Sequence, residues 1–212
     1  MTTDNTPRVP LLLPPDWNEE ALEALNAFPG GLKFVLNGWE ENQTAVRGTN
    51  MLAGFAQYPD LAKAFLTFNN HVATNSSVCT RDRELIILRT GWLRHCEYEY
   101  VMHVILGRRA GITDEEIERV QAGPDAPGWN ENDADLIRLA DELHADARIS
   151  DATWQRLSKN YEQKQLMDMV FLVGCYDIVA MATNSFNISV EASETPLDED
   201  TKARMMAYSL NK

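Results

Sequence analysis

No run in this 212-residue chain alternates apolar and polar residues at period two for more than a few positions. It therefore lacks the pattern from which half-buried β-strands are built. Helical punctuation takes its place. Pro59-Asp60 precedes Leu61, Ala64, Phe65 and Phe68 at helical spacing, and Leu136, Leu139, Ala140 and Leu143 share one helical face. Thr113-Asp114-Glu115-Glu116 carries the capping-box pattern, and Ser150 stands before another helix start. The chain is expected to be all-α.

Pro7, Pro10, Pro14 and Pro15 make residues 1–15 an extended segment by expectation. Asp16 is placed as the cap of a helix to about Phe28, ended by Pro29-Gly30-Gly31. Helical pieces follow over 32–57. Thr80 is expected to cap a helix to about Trp92, and a second helix to run from near His95 to Ala110, closed by Gly111. After the turn-rich loop Gly123–Gly128 come helices over 132–145, from Ser150 to about Asn160, and over Gln163–Phe186, the last largely buried. The length admits one large domain or two helical halves sharing a core. The expected division is the extended segment, a single helical domain over 16–191, and a tail over 192–212.

Charge narrows the partners. With 19 Lys plus Arg against 32 Asp plus Glu, the formal net charge is −13. That argues against non-specific binding to nucleic acid or to an anionic membrane. Cys79, Cys96 and Cys175 are too few and too scattered for a disulfide framework. The stretch MTTDNTPRVPLLLPPDW lacks the features of a secretory signal. The longest apolar run, MVFLVG, is short of a membrane span. A small-molecule substrate and a reducing cytoplasm are the expected partner and compartment.

Chemistry concentrates in RDRELIILRTGWLRHCEYEYVMH. Cys96, Glu99 and His103 stand at i, i+3 and i+7, within about a 60° sector of a helix face. A thiol, a carboxylate and an imidazole on one stripe cover proton transfer and thiol chemistry near neutral pH. Glu99 and His103 are i,i+4 neighbours, close enough to share a proton or a water. The surrounding Tyr98, Tyr100, Val101, Met102, Val104 and Ile105 imply an apolar wall, in which both groups would have shifted pKa values. A nearby carboxylate would raise the Cys96 pKa, and a protonated imidazole would lower it. Glu84 belongs to the preceding helix, so the fold decides its place. His95 points about 100° away from Cys96 on a helix and ranks below His103; His71 and His144 read as structural or surface residues. Glu84, Glu99 and His103 could in principle hold a metal, but no second ligand pair at helical spacing supports one. Neither metal nor organic cofactor is expected.

At these residues the chain resembles the carboxymuconolactone decarboxylase superfamily, which includes the alkylhydroperoxidase D proteins. The shared pattern is a Glu, eleven residues, a Cys, two residues, a second Cys, three residues and a His. It is matched at Glu84, Cys96 and His103 and departs at Glu99, where the second cysteine would stand. RDRELIILRT and GRRAGITDEEIERV also resemble the family framework, and the likeness is clearest over about 55–122. It implies a compact helical bundle of the alkylhydroperoxidase D type, assembled as a homo-oligomer, trimer or hexamer. With Glu99 in place of a resolving cysteine, the two-cysteine peroxidase cycle cannot run locally. The acid before His103 resembles the decarboxylase branch instead, although Cys96 is generally lacking there.

The expectation is a cofactor-independent enzyme that transfers protons on a small cyclic or unsaturated acid or carbonyl compound. His103 would be general base or acid, Glu99 its partner, Glu84 its orienting group, and Cys96 a pocket wall or nucleophile. Arg81, Arg83, Arg89 and Arg94 are candidates to hold a substrate carboxylate. One alternative is a one-cysteine thiol peroxidase acting through Cys96. Another is a non-catalytic helical oligomer that binds a small ligand.

Overall fold

The computed structural model describes residues 6–208. Residues 1–5 of the expected extended segment and 209–212 of the tail lie outside the described residues. Eleven α-helices are present among those described, and no strand. The chain divides into two compact units, residues 1–75 with 181–196, and residues 76–180 with 197–212.

The first unit holds α1 (Glu19–Leu25), α2 (Pro29–Asn42), α3 (Thr49–Phe55) and α4 (Pro59–Asn70), with α1 and α3 packed on α4. Two sequence expectations are corrected here. Asp16 sits in a 3₁₀ turn, Pro14–Asp16, and the cap of α1 is Asn18, whose side chain accepts from the Ala21 N–H at 2.9 Å. Pro29 starts α2 and does not stop α1. Proline at the first helical position forfeits only an N–H that has no intrahelical acceptor. Pro59 does the same for α4, as expected.

The second unit is built around α5 (Thr80–Leu93), whose ten residues Glu84–Leu93 are all buried. A helix buried on every side shows no amphipathic stripe in its sequence. It packs against α6 (Glu97–Arg109), α7 (Asp114–Ala122) and α8 (Glu131–Asp146), while α8 also packs on α9 (Asp151–Leu157). The first residue of α5 is Thr80 and its cap is Cys79. Thr113 and Glu116 close the expected capping box on α7, and Ser150 caps α9, which ends at Leu157. The last helix, α11 (Glu199–Ala207), is capped by Asp198 and belongs to this unit.

Arg89 is the buried cation of the second unit, with no exposed surface. Its Nε reaches Asp141, and its Nη1 donates to the Val120 and Gln121 carbonyls at 2.7 and 2.9 Å. Its remaining nitrogen donates to Asp141 and to the Tyr208 hydroxyl. A buried charge survives only when paired and hydrogen-bonded on all sides. Arg89 thereby ties α5 to α7, α8 and the segment after α11.

Helix α10 (Gln163–Phe186) has the expected bounds. It is long and apolar enough to cross a membrane by length and composition, and half of its most apolar window is buried within the protein. Met167, Phe171 and Ile178 are exposed on it, so it is half buried rather than largely so.

Candidate functional site

The link between α5 and α6 shapes the site. The Cys96 N–H donates to the Gly91 carbonyl at 3.0 Å and the His95 N–H to that of Trp92 at 3.1 Å. This is the Schellman pattern, with His95 in the left-handed position at φ 51°. Glycine usually occupies that position, as Gly111 does at the end of α6 with φ 91°. A residue with a Cβ adopts it at a cost of about 1 kcal/mol. Cys96 then serves as the N-cap of α6, with extended dihedrals of −101° and 94°.

The expected stripe is therefore corrected. Helix α6 begins at Glu97, and Cys96 stands before it rather than on its face. His95 turns in the link and is not a helical residue. Cys96 is completely buried. The three cysteines are unbridged, with Cys175 also buried and Cys79 exposed.

Glu84, Glu99 and His103 all lie inside the second unit, at 6%, 2% and 8% exposure. His103 makes its bond to Glu84 on α5, Nδ1 to Oε2 at 2.7 Å. It does not bond Glu99, its i,i+4 neighbour. The Tyr176 ring of α10 meets the imidazole edge to face, with centroids 4.9 Å apart. Between a carboxylate on one nitrogen and a ring against its plane, the imidazole is fixed in orientation.

Glu99 has the opposite environment. Both carboxyl oxygens are buried, and neither has a hydrogen-bond partner among the described residues. The carboxyl lies against the α5 backbone: a Cβ placed on Gly91 would sit 3.7 Å from Oε1. Burial, then the charges of Asp177 and Glu84, push its pKa well above the usual carboxylate range. The charged form of Glu99 is thereby disfavoured. Burial likewise drives the Tyr176 phenol well above its ordinary value, with Glu84, Cys175 and Glu99 adding to it and Arg83 opposing. Tyr176 remains a neutral hydroxyl.

Asp177 and Arg94 form a forked ion pair across this region, Nε to Oδ1 at 2.6 Å. Tyr176 and Asp177 are additional to the site residues expected from sequence. The available signal was an acid inside the apolar run LMDMVFLVGCYDIVAMA, since charged groups in such surroundings are paired or functional. Of the four candidate arginines, Arg81 is paired with Asp133 and Glu116, Arg89 with Asp141, and Arg94 with Asp177. Arg83 donates to the Val78 carbonyl at 2.7 Å and has no carboxylate partner among the described residues.

No group of three or more metal-ligating side chains in holding geometry occurs among the described residues. An open polar hollow lies elsewhere, between α8 and α9, lined by Asp135, Arg138, Glu142 and Arg156 among others. Two of its acids are already satisfied, Asp135 by Arg156 and Glu142 by Ser150 and Thr153. It contains none of the Glu–His chemistry.

Fold and geometry together define an all-α protein in which buried Glu84, Glu99 and His103 lie on the two helices joined by the three-residue link Arg94–Cys96. Residues 59–142 match the model of the carboxymuconolactone decarboxylase family. A curated relative, the uncharacterized protein YdfG of Bacillus subtilis, is 24% identical over 100 residues, 46% of this chain and 68% of its own. An uncharacterized peroxidase-related protein from Ralstonia eutropha, an alkylhydroperoxidase AhpD core, superposes with a TM-score of 0.66 at 14% identity. That match covers 81% of this chain and 90% of the other. The debrominase Bmp8 superposes with a TM-score of 0.68 at 13% identity, covering 93% and 97%. At these identities the structural likeness speaks to the fold.

Proposed function

We infer that the protein is a cofactor-independent proton-transfer enzyme acting on a small cyclic or unsaturated acid or carbonyl compound. The observation that carries this reading is the division of roles between two buried groups. His103, with Nδ1–H donated to the Glu84 carboxylate, presents Nε2 as a base. Glu99, when protonated, can give up a proton. An imidazole hydrogen-bonded to a carboxyl and a buried acid whose charged form is disfavoured are suited to base and acid roles in one site.

In the resulting reaction His103 takes a proton from carbon or hydroxyl, and the released electron pair moves into a conjugated carbonyl. Glu99 protonates the oxygen or carbon that receives it. Decarboxylation uses the same groups: the C–C bond to the carboxylate breaks, carbon dioxide leaves, and the carbon is reprotonated. Arg83 is the arginine best placed to hold an acidic substrate, because its charge is not committed to a carboxylate. Self-association of the chain fits the exposed apolar residues Met167 and Ile178 on α10.

The test is a panel of lactones and unsaturated acids, with brominated aromatic rings added because of the debrominase likeness, followed by product mass. His103→Ala and Glu99→Gln should each lose about 100-fold or more in rate, whereas Cys96→Ser keeps most of it. Loss confined to the Cys96 variant would sink the proton-transfer reading.

One observation favours thiol chemistry instead. Cys96 sits at the N-terminus of α6, where the helix dipole favours a thiolate. In that reading the thiolate attacks a peroxide oxygen, the O–O bond breaks, and the hydroxide expelled takes a proton from solvent and leaves as water, with Cys96 becoming a sulfenic acid. The sulfenic acid is then reduced by two equivalents of an external thiol, which end as its disulfide. A gain of one oxygen at Cys96 on exposure to hydrogen peroxide, reversed by thiol, is the expected sign.

A further inference from the structure

Cys96 has two neighbours in the chain, and both are held by the same distant segment. On one side, His95 Nε2 is 3.0 Å from the Tyr208 backbone carbonyl. On the other, Glu97 accepts from the Leu197 N–H at 3.0 Å and pairs with Lys202 Nζ at 3.0 Å. The segment is fastened at further points. The Tyr208 ring lies under the Arg89 guanidinium at 4.9 Å and edge-on to Trp92 at 6.2 Å, with its hydroxyl accepting from Arg89. Arg204 donates to Gln121 at 2.8 Å, and Met205 is buried.

These contacts fall on the least regular piece of the site. The His95–Cys96 link ends one helix and begins the next, and its left-handed residue is the one Tyr208 bonds. A buried residue in such a link reaches solvent by local opening, and each anchor across it lowers the population of the open form. Nothing in the proton-transfer reading requires this arrangement, nor does the arrangement depend on which reaction the site performs.

We propose that Leu197–Tyr208 is a strap that locks the α5–α6 link and controls access to the Cys96 thiol. Lys202 and Tyr208 are its two latches, positioning residues that act through Glu97 and His95. Release of the strap frees the link and admits a thiol-directed molecule to Cys96. With the strap closed, Cys96 is sealed.

The experiment is alkylation by iodoacetamide in the full chain carrying Cys79→Ser, which removes the exposed thiol. Labelling at Cys96 and Cys175 is followed separately by peptide mass. Cys175, buried in the interior of α10, reports any general loosening. The double variant Lys202→Ala/Tyr208→Ala is expected to label Cys96 about tenfold faster, the size expected for losing an ion pair and a ring contact, with Cys175 unchanged. Tyr208→Phe keeps the ring and the backbone carbonyl and should stay within about threefold of the parent. Cys96 labelling that does not change in the double variant overturns the proposal. So does a parallel rise at Cys96 and Cys175, which would make the segment merely structural.

Discussion

Glu99 precedes His103 by one helical turn, yet the imidazole bonds Glu84 on the neighbouring helix, Nδ1 to Oε2 at 2.7 Å. The two acids around one histidine are thereby separated in role. Glu84 is hydrogen-bonded to the ring and fixes it, whereas Glu99, whose charged form burial disfavours, has no hydrogen-bond partner among the described residues.

Glu84→Gln tests the first role. An amide in place of the carboxylate weakens the hold on the Nδ1 proton and admits the other tautomer. Turnover should fall about 10- to 100-fold with little change in KM. Equal activity in the variant would remove Glu84 from the site.

Glu99 makes stability depend on pH. Its pKa is raised by burial and by the charges of Asp177 and Glu84, so above the unfolded value near 4.5 the folded chain keeps a proton that the unfolded chain has lost. Stability therefore falls as pH rises from that value to the folded pKa and is level beyond it. Glu99→Gln should remove this slope, gaining over the parent at neutral pH and converging with it near pH 4. Urea titrations at several pH values would reveal it, and parallel curves would count against a neutral Glu99.

Arg89→Lys keeps a charge but cannot serve Asp141, two carbonyls and the Tyr208 hydroxyl at once. A loss of about 3 kcal/mol is expected, measured as a lower urea midpoint.

Arg83→Ala should weaken binding of a small cyclic carboxylate such as benzoate about tenfold or more, while the neutral amide is indifferent. Titration followed by the His103 imidazole resonances gives both constants. Equal weakening of the two ligands would mean that Arg83 does not bind the acid group.

Self-association through α10 predicts that Met167→Glu/Ile178→Glu lowers the sedimenting mass to that of one chain, with helix content retained. A parent protein that already sediments as a single 23.9 kDa chain would remove the premise.

The helical class and most boundaries were legible because caps and apolar spacing are local properties. Thr113 with Glu116, Ser150, Pro59 and the full span of α10 all declared themselves in this way. Pro29 misled because the same residue suits an end and a beginning, and only packing decides. The pairing of Glu84 with His103 could not be read, since it depends on how α5 meets α6. Cys96 was placed on the α6 face because the left-handed turn at His95 carries no glycine to announce it. Tyr176 and Asp177 come from a helix some 70 positions further on, and no spacing rule spans that distance.

The His95–Cys96 link has a consequence for how this chain can vary. Everything C-terminal to it is phased by the residue count between Gly91 and Glu97. One residue added after the cap would turn Glu99 and His103 by about 100° around α6. The imidazole would swing away from Glu84, and the acid would leave the α5 backbone. The length of the link is the reading frame of the site.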